Sequence, residues 1–412
     1  MLPATFHRLT LDNGLTVIGE HHPHAQSFAA GYFVTTGARD EEAEIAGVSH
    51  FLEHMLFKGT ERRSAEAINR EFDELGANYN AFTGDERTVY YGAVLPERGA
   101  ELLDLLTDMM RPVLREEDFA MEKQVILEEI AMYDDRPSFK VFEAGNRLYY
   151  GAHPLGNPIL GSPESIGALK REQMLDYHER RYAADNLILA VAGRYGWEEV
   201  VGQIKAATRH WQAKGATRRH SPLSGAHGIE VLRRPNVKRM YAAAYALGVS
   251  VKDPRRYAAA ILASCVGDEL GSRLYWALVD PGLAESATLS HDAADDLGTF
   301  VGYLSTAPEQ AQEALKRFRQ VLVELPERGL TEAEWRRAQR KLATGLTIRA
   351  ETPYGRLMSF GTYYQATGEY LSTRESVDHL LGTPLEAGQA ILKSRPFDRL
   401  FVTALGPDGL TI

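Results

Sequence analysis

Residues 45–59 read IAGVSHFLEHMLFKG. Ile45, Val48, Leu52, Met55 and Leu56 recur near helical spacing and Gly59 follows as a stop, so 45–58 is read as one helix with an apolar stripe. A helix advances about 100° per residue, which sets His50 and His54 one turn apart on a shared face. Two imidazoles so placed can hold one Zn2+. Glu53 borders the same stripe, where a carboxylate can take a proton from a water on the metal. H-x-x-E-H is the inverted order of the common zincin helix. The plainer reading is a chance pair of histidines with Glu53 in a local ion pair.

A zinc peptidase needs a third protein ligand and an open fourth position. The stretch Glu116 to Asp134 reads as a helix, with Val125, Ile126, Ile130 and Tyr133 as its apolar stripe. Glu122 and Glu129 are seven apart, hence within about 20° of each other on that stripe. Glu128 falls on a wetter arc with Gln124, Ala131 and Asp135. Carboxylates on a buried stripe are costly by several kcal/mol unless partnered. A metal would be such a partner for Glu129, with Glu122 orienting a ligand from behind. The alternative is that both pair with Arg or Lys, or reach solvent. A second cluster, His21-His22-Pro23-His24, falls between two strands and reads as a solvated turn.

Outward from the helix, strands are expected at 15–20, 27–36, 78–82 and 88–94, and helices at 64–75, 96–110 and 116–134. After residue 228 the order recurs: a strand at 238–247, a helix from 257 broken near Gly267–Gly271, strands at 286–290 and 299–305, then helices at 308–325 and 331–350. Strand, helix, strand, strand, helix, helix in both halves reads as a duplication. The expected domains are 1–212 and 228–412, joined by a linker at 213–227, AKGATRRHSPLSGAH. The 412 residues carry 46 Lys plus Arg against 56 Asp plus Glu, a net charge of −10, which disfavours nucleic acid or an anionic membrane as partner. The single cysteine, Cys265, excludes a disulfide within the chain and a Cys-based zinc site. The N-terminus has no basic start followed by an apolar run, and no window approaches the roughly 18 apolar residues of a membrane helix, so the expected location is cytoplasmic.

Further segments carry a family likeness. His50-Phe51-Leu52-Glu53-His54 is followed by E-x-x-x-x-x-x-E, from Glu122 to Glu129. Asn80-Ala81-Phe82-Thr83 comes with Glu86, Thr88 and Tyr90. His153-Pro154-Leu155-Gly156-Asn157-Pro158-Ile159-Leu160-Gly161 forms a loop, and Tyr182-Ala183-Ala184-Asp185-Asn186 precedes Leu189-Ala190-Val191-Ala192-Gly193. Together these resemble the pitrilysin or insulinase family of zinc peptidases, and within it the bacterial homologues of mitochondrial processing peptidase. The match spans the chain and is dense in residues 30–195.

The resemblance implies an α+β fold of two homologous domains, each a mostly antiparallel sheet with helices packed on it, clam-like about a central chamber and often dimeric. It implies one Zn2+ per chain on His50, His54 and Glu129, with Glu53 as general base and Glu122 behind the ligands. Peptides, unfolded or short, would lie as an extra strand along Tyr79 to Thr83, with Asn80, Ala81 and Phe82 as substrate contacts. Phe82 either shapes a subsite or belongs to the core of its strand. One segment departs from the family. Where it has L-R-E-K-x-G-L-A-Y-S, residues 277–286 read ALVDPGLAES, so Leu278 replaces the Arg and Glu285 the Tyr. The expected assembly is therefore a homodimer, or a heterodimer with a related chain that supplies Arg and Tyr. The competing expectation is a non-catalytic scaffolding subunit.

Overall fold

Six strands of the first half build one sheet: β1 (Thr5–Thr10), β2 (Thr16–His21), β3 (Phe28–Val34), β4 (Asn78–Thr83), β5 (Thr88–Val94) and β6 (Leu187–Gly193). They lie in the order β1-β2-β6-β3-β5-β4 in a computed structural model that describes residues 4–412. Five more strands, β7 (Gly228–Arg233), β8 (Met240–Leu247), β9 (Ser286–Ala293), β10 (Gly298–Thr306) and β11 (Phe401–Gly406), form a second sheet in the order β7-β11-β8-β10-β9. Each sheet has one parallel pair, β2 with β6 and β7 with β11, and is otherwise antiparallel. The run β2-β6-β3-β5-β4 thus matches β7-β11-β8-β10-β9 strand for strand, and the duplication read from the sequence is present in the topology.

The first half also contributes α1 (Val48–Met55), α2 (Ala65–Glu74), α3 (Gly99–Met109), α4 (Glu116–Asp134), α5 (Pro137–Tyr150), α6 (Pro163–Ala168), α7 (Arg171–Arg181) and α8 (Trp197–Ala207). The second half adds α9 (Arg256–Gly267), α10 (Ala311–Val323), α11 (Leu325–Arg328), α12 (Glu332–Arg349), α13 (Pro353–Thr367), α14 (Thr373–Gly382) and α15 (Leu385–Lys393). Central β3 is buried along its whole length, FAAGYFV, as a strand covered on both faces must be. On one face its core includes Leu52 and Met55 of α1, Leu102 and Leu106 of α3 and Ile126 of α4, packed with Tyr32, Tyr90 and Leu189.

The other face of each sheet is covered by a helix from the opposite half. One compact unit takes the residues up to Ala131, Asn157–Arg219 and Ile348–Ser372; the second takes Met132–Gly156, His220–Thr347 and Thr373–Ile412. These units differ from the contiguous blocks 1–212 and 228–412 because α5 and α13 are exchanged. In unit one, Leu357, Phe360 and Tyr364 of α13 pack on Ala29 and Phe33 of β3 and on Ala190 and Ala192 of β6. In unit two, Val141 and Tyr149 of α5 pack on Ala243 and Tyr245 of β8 and on Phe401 and Leu405 of β11. Full burial of each such side chain contributes about 1.5–3 kcal/mol. A glycine sits at each contact. A Cβ on Gly361 would lie 2.4 Å from the Phe33 ring, and one on Gly145 2.6 Å from the Tyr245 ring. Residues 211–227 hold no helix or strand. Arg218 within it nonetheless pairs with Asp40 at 2.7 Å, anchoring that part to unit one.

Candidate metal centre

Helix α1 starts at Gly47, whose φ of +91° favours glycine, and a Cβ there would meet Leu160 O at 2.6 Å. No side chain of the N-cap residue satisfies the first N–H groups. The buried carboxylate of Glu41 accepts instead, from Gly47 N–H at 2.6 Å and Ser49 N–H at 2.7 Å. Burial pushes the Glu41 carboxyl up to about 8, against these two bonds, which favour its charge. The Ser49 hydroxyl also bonds Tyr177 Oη at 2.7 Å, tying the start of α1 to α7.

One turn further on, His50, His54 and Glu129 each present one ligand atom, and the three atoms lie within 4.8 Å of one another. Glu129 Oε2 is 3.8 Å from His50 Nε2 and 3.7 Å from His54 Nε2. These spacings are too long for hydrogen bonds. They suit donors around one ion, since three atoms each about 2 Å from zinc stand roughly 3–4 Å apart. Two imidazoles and a carboxylate form a known catalytic zinc set. No other group of three or more His, Cys, Asp or Glu is so arranged among the described residues.

At His50, protonation suits the same use. Burial, helped by the neighbouring His54, pulls the His50 imidazole down to about 3, so it is neutral and has a lone pair to offer. Its Nδ1 is buried without a partner. For His54, burial alone would lower the pKa, but the Glu122 hydrogen bond and the charges of Glu53, Glu122 and Glu129 raise it. His54 Nδ1 meets Glu122 Oε1 at 2.9 Å, which leaves Nε2 to face Glu129. Glu122 is in turn met by Lys58 Nζ at 2.5 Å. Burial raises the Glu122 carboxyl, and the bonds from His54 and Lys58 lower it further than that, so it stays charged. Burial raises the carboxyl of Glu53, opposed by the Thr83 hydrogen bond and the His54 charge and reinforced by Glu129.

The stripe of α4 is largely as expected: Glu122 and Ile126 are buried, Glu129 is half-buried and Glu128 exposed. Val125 departs from it at 42% exposure, because the buried arc runs through Phe119, Glu122 and Ile126 and Val125 lies off it. His22 of the other histidine cluster is held by Glu20 at 2.9 Å. Strand β4 is the free edge of its sheet and alternates strictly. Ala81 and Thr83 sit opposite Tyr90 and Thr88, on the face toward α1. Phe82 sits opposite Val89, on the α13 face, and is 39% exposed. Its side chain is therefore neither core nor directed at the histidines, and Asn80 shares that face.

Lys58 and Glu41 were not singled out from sequence, and Thr83 was read only as part of the Asn80–Thr83 segment, not as a partner of Glu53. Lys58 does fall one helical turn past His54, which was the available signal. In unit two, Leu278 is fully buried, Glu285 pairs with Arg239 at 2.7 Å, and Arg273 pairs with Glu334 at 2.7 Å. Among the described residues no helix is long and apolar enough to cross a membrane.

The profile of the insulinase family (peptidase family M16) matches residues 16–163, and that of the peptidase M16 inactive domain matches residues 168–342. The chain is 30% identical over 405 residues to YmxG, an uncharacterized zinc protease of Bacillus subtilis, covering 98% of each. It is 31% identical over 413 residues to an uncharacterized zinc protease of Rickettsia felis, covering 99% of each. Among solved structures, a protease from Helicobacter pylori matches with a TM-score of 0.90 at 19% identity, over 98% of this chain and 100% of that one. The peptidase M16 inactive domain from Pseudomonas fluorescens matches with a TM-score of 0.89 at 20% identity, over 99% of each. At these identities the structural likeness speaks for the fold.

Proposed function

The chain belongs to the insulinase family, peptidase family M16, and on that premise we propose that it is a zinc-dependent endopeptidase acting on unfolded or short peptides. The observation that carries this reading is the convergence of His50, His54 and Glu129 with Glu53 on the same helix. These three would hold one zinc ion per chain. Zinc bound there would acidify the attacking water and polarise the scissile carbonyl.

The remaining steps belong to the side chains. Glu53 takes the proton of the attacking water and returns one to the leaving amine, a role worth roughly 10²–10⁴ in rate. Glu122 keeps His54 in the tautomer that offers Nε2, and Lys58 steadies Glu122. The peptide adds a strand to the open edge of β4, with Asn80, Ala81 and Phe82 contributing main-chain groups. Such pairing is indifferent to most side chains but needs an extended segment, which a folded substrate lacks.

Donors for the carbonyl oxygen would come from a relative bearing the Arg and Tyr, in a heterodimer, since a homodimer of this chain only repeats Leu278 and Glu285. Leu278 and Glu285 supply none, and Arg273 is occupied by Glu334. The test is metal content beside peptide hydrolysis, for the wild type and Glu53→Gln. One zinc per chain in both, with hydrolysis in the wild type alone, is the expected result. A chain with neither metal nor hydrolysis would favour the scaffolding reading.

A further inference from the structure

The hydroxyl of Thr83, at the end of β4, donates to Glu53 Oε2 at 2.6 Å. A threonine closing an edge strand has no need of a buried partner, since water serves it equally well. Here it holds the carboxylate on which the proposed reaction turns. The bond crosses from the sheet to the helix: Glu53 is carried by α1, and Thr83 by the strand offered to the peptide. With one carboxylate oxygen engaged as an acceptor from Thr83, the other is the one left to receive a proton.

Thr83 is itself held from behind. The turn after it is clamped by the loop at Gly37: Ala38 N–H donates to Gly84 O at 3.2 Å and Arg39 N–H to Asp85 O at 2.8 Å. A Cβ on Gly37 would lie 2.2 Å from Gly84 O, so only glycine lets these backbones meet. Arg39 Nη1 bonds Glu86 Oε1 at 2.6 Å, and Arg218 Nη2 bonds Glu86 O at 2.6 Å. Across the strand pair, Thr88 Oγ1 donates to Thr36 O at 3.0 Å. A buried cluster of charge thus fixes the turn, the turn fixes Thr83, and Thr83 fixes Glu53.

We propose that Thr83 is a positioning residue for Glu53, orienting the carboxylate so that its second oxygen takes the proton. This rests on the reading of Glu53 as general base. The experiment compares Thr83→Val, which keeps the shape and loses the hydroxyl, with Thr83→Ser, which keeps the hydroxyl. kcat and KM on a quenched fluorescent peptide, zinc content and crystal structures of both variants are the readouts, with Glu53→Gln as reference. In Thr83→Val, kcat should fall roughly ten- to hundredfold, the range commanded by a hydrogen bond to a charged group, with KM within about twofold. Zinc should stay at one per chain, and the Glu53 carboxylate should turn from its place. Thr83→Ser should keep the carboxylate in place and kcat within about threefold of wild type. Thr83→Ala must repeat the loss seen with valine, which guards against misfolding of the valine variant.

If Glu53→Gln is inactive while Thr83→Val keeps full kcat, or raises only KM, this inference is overturned and the base reading stands. If Glu53→Gln is fully active, the base reading fails and this inference falls with it.

Discussion

The two sheets run in the same order and sense, yet the helices in matching places differ in kind. Helix α1, between β3 and β4, buries His50 and Ser49 beside Phe51, Leu52 and Met55. Helix α9, between β8 and β9, buries Ala258, Ala259, Ile261, Leu262, Cys265 and Val266. The duplicated fold is thus satisfied by an apolar helix, and the histidines answer to a different demand. Buried polar groups persist only where each has a partner. In unit one most of those partners are in place: Glu41 on the start of α1, Glu122 on His54 and Thr83 on Glu53, while His50 Nδ1 has none. Unit two carries no such set on α9, and needs none.

The largest effect that would sharpen this contrast is at Glu53. Glu53→Gln should lower kcat by roughly 10²–10⁴ and leave zinc bound, because an amide cannot take the proton and Glu53 is not among the converging ligand atoms. His50→Ala and His54→Ala should lose the metal instead. Elemental analysis beside a peptide assay separates the two outcomes. Zinc lost from a folded Glu53→Gln would make Glu53 a ligand and blur the division of labour on α1.

Next comes the acidic helix. Glu129→Ala should weaken zinc binding by orders of magnitude. Glu128→Ala should not, since Glu128 is exposed. Glu122→Ala should fall between, about 10- to 100-fold, because it removes the brace on His54 Nδ1 and leaves the ligand. Zinc competition titrations of the three variants test this order, and an equal loss at 128 and 129 would break it.

Much of this was legible in the sequence because it is periodic. His50 and His54 one turn apart, and Glu122 and Glu129 two turns apart, follow from helical geometry alone. So did the repeated order of strands and helices. What stayed hidden depends on partners that local pattern does not name. An amphipathic segment announces that it has an apolar face but not which sheet receives it, so the exchange of α5 and α13 could not be read. Thr83 and Glu53 are thirty residues apart and meet only once β4 is placed at the sheet edge. Phe82 illustrates the opposite limit. Alternation in β4 says that it faces away from its neighbours Ala81 and Thr83, but only the pairing with Val89 tells which face that is.

Unit two offers its own way to break the contrast. The family resemblance read from the sequence would put an Arg at Leu278, which invites restoring it. Leu278 is fully exposure-free in a core that includes Leu274, Ala284 and Leu304. Leu278→Arg would bury an unpaired guanidinium at a cost of several kcal/mol, so Tm should fall by on the order of 10 °C. Glu285→Tyr sits in a more open place and gives up one ion pair, to Arg239, so its effect should stay within about 1 kcal/mol. Thermal melts of the two variants check this. A stable, more active Leu278→Arg would mean that the segment 277–286 can leave its core.

A pH-dependent effect concerns what holds the exchanged helices. On α5 the contacts with its sheet are aromatic: Tyr149 on Tyr245 at 5.2 Å and Phe142 on Tyr303 at 5.5 Å. On α13 they include a buried charge, with Glu20 of β2 accepting from Arg356 Nε at 2.8 Å, Tyr370 at 2.7 Å and His22 at 2.9 Å. Burial would raise the Glu20 carboxyl, but Arg356 and His22 outweigh it and bring it from 4.5 down to about 2. The folded value is depressed, so the pair's stabilisation is full above pH 4.5 and is lost as pH falls through 2. That difference corresponds to about 3 kcal/mol for a carboxylate this buried. The phenols of Tyr149 and Tyr245 are shifted upward and do not titrate in this window. Asp134, beside α5, is also lowered to about 2 by Arg234 and Lys140, but at 43% exposure water screens it. Hydrogen exchange between pH 5 and 2.5 should therefore show the amides of α13 opening while those of α5 hold. Glu20→Gln should weaken the seat of α13 at pH 5 and flatten its dependence on pH. Parallel opening of α5 and α13 would mean that the two helices are held alike, and that the charge at Glu20 does not distinguish them.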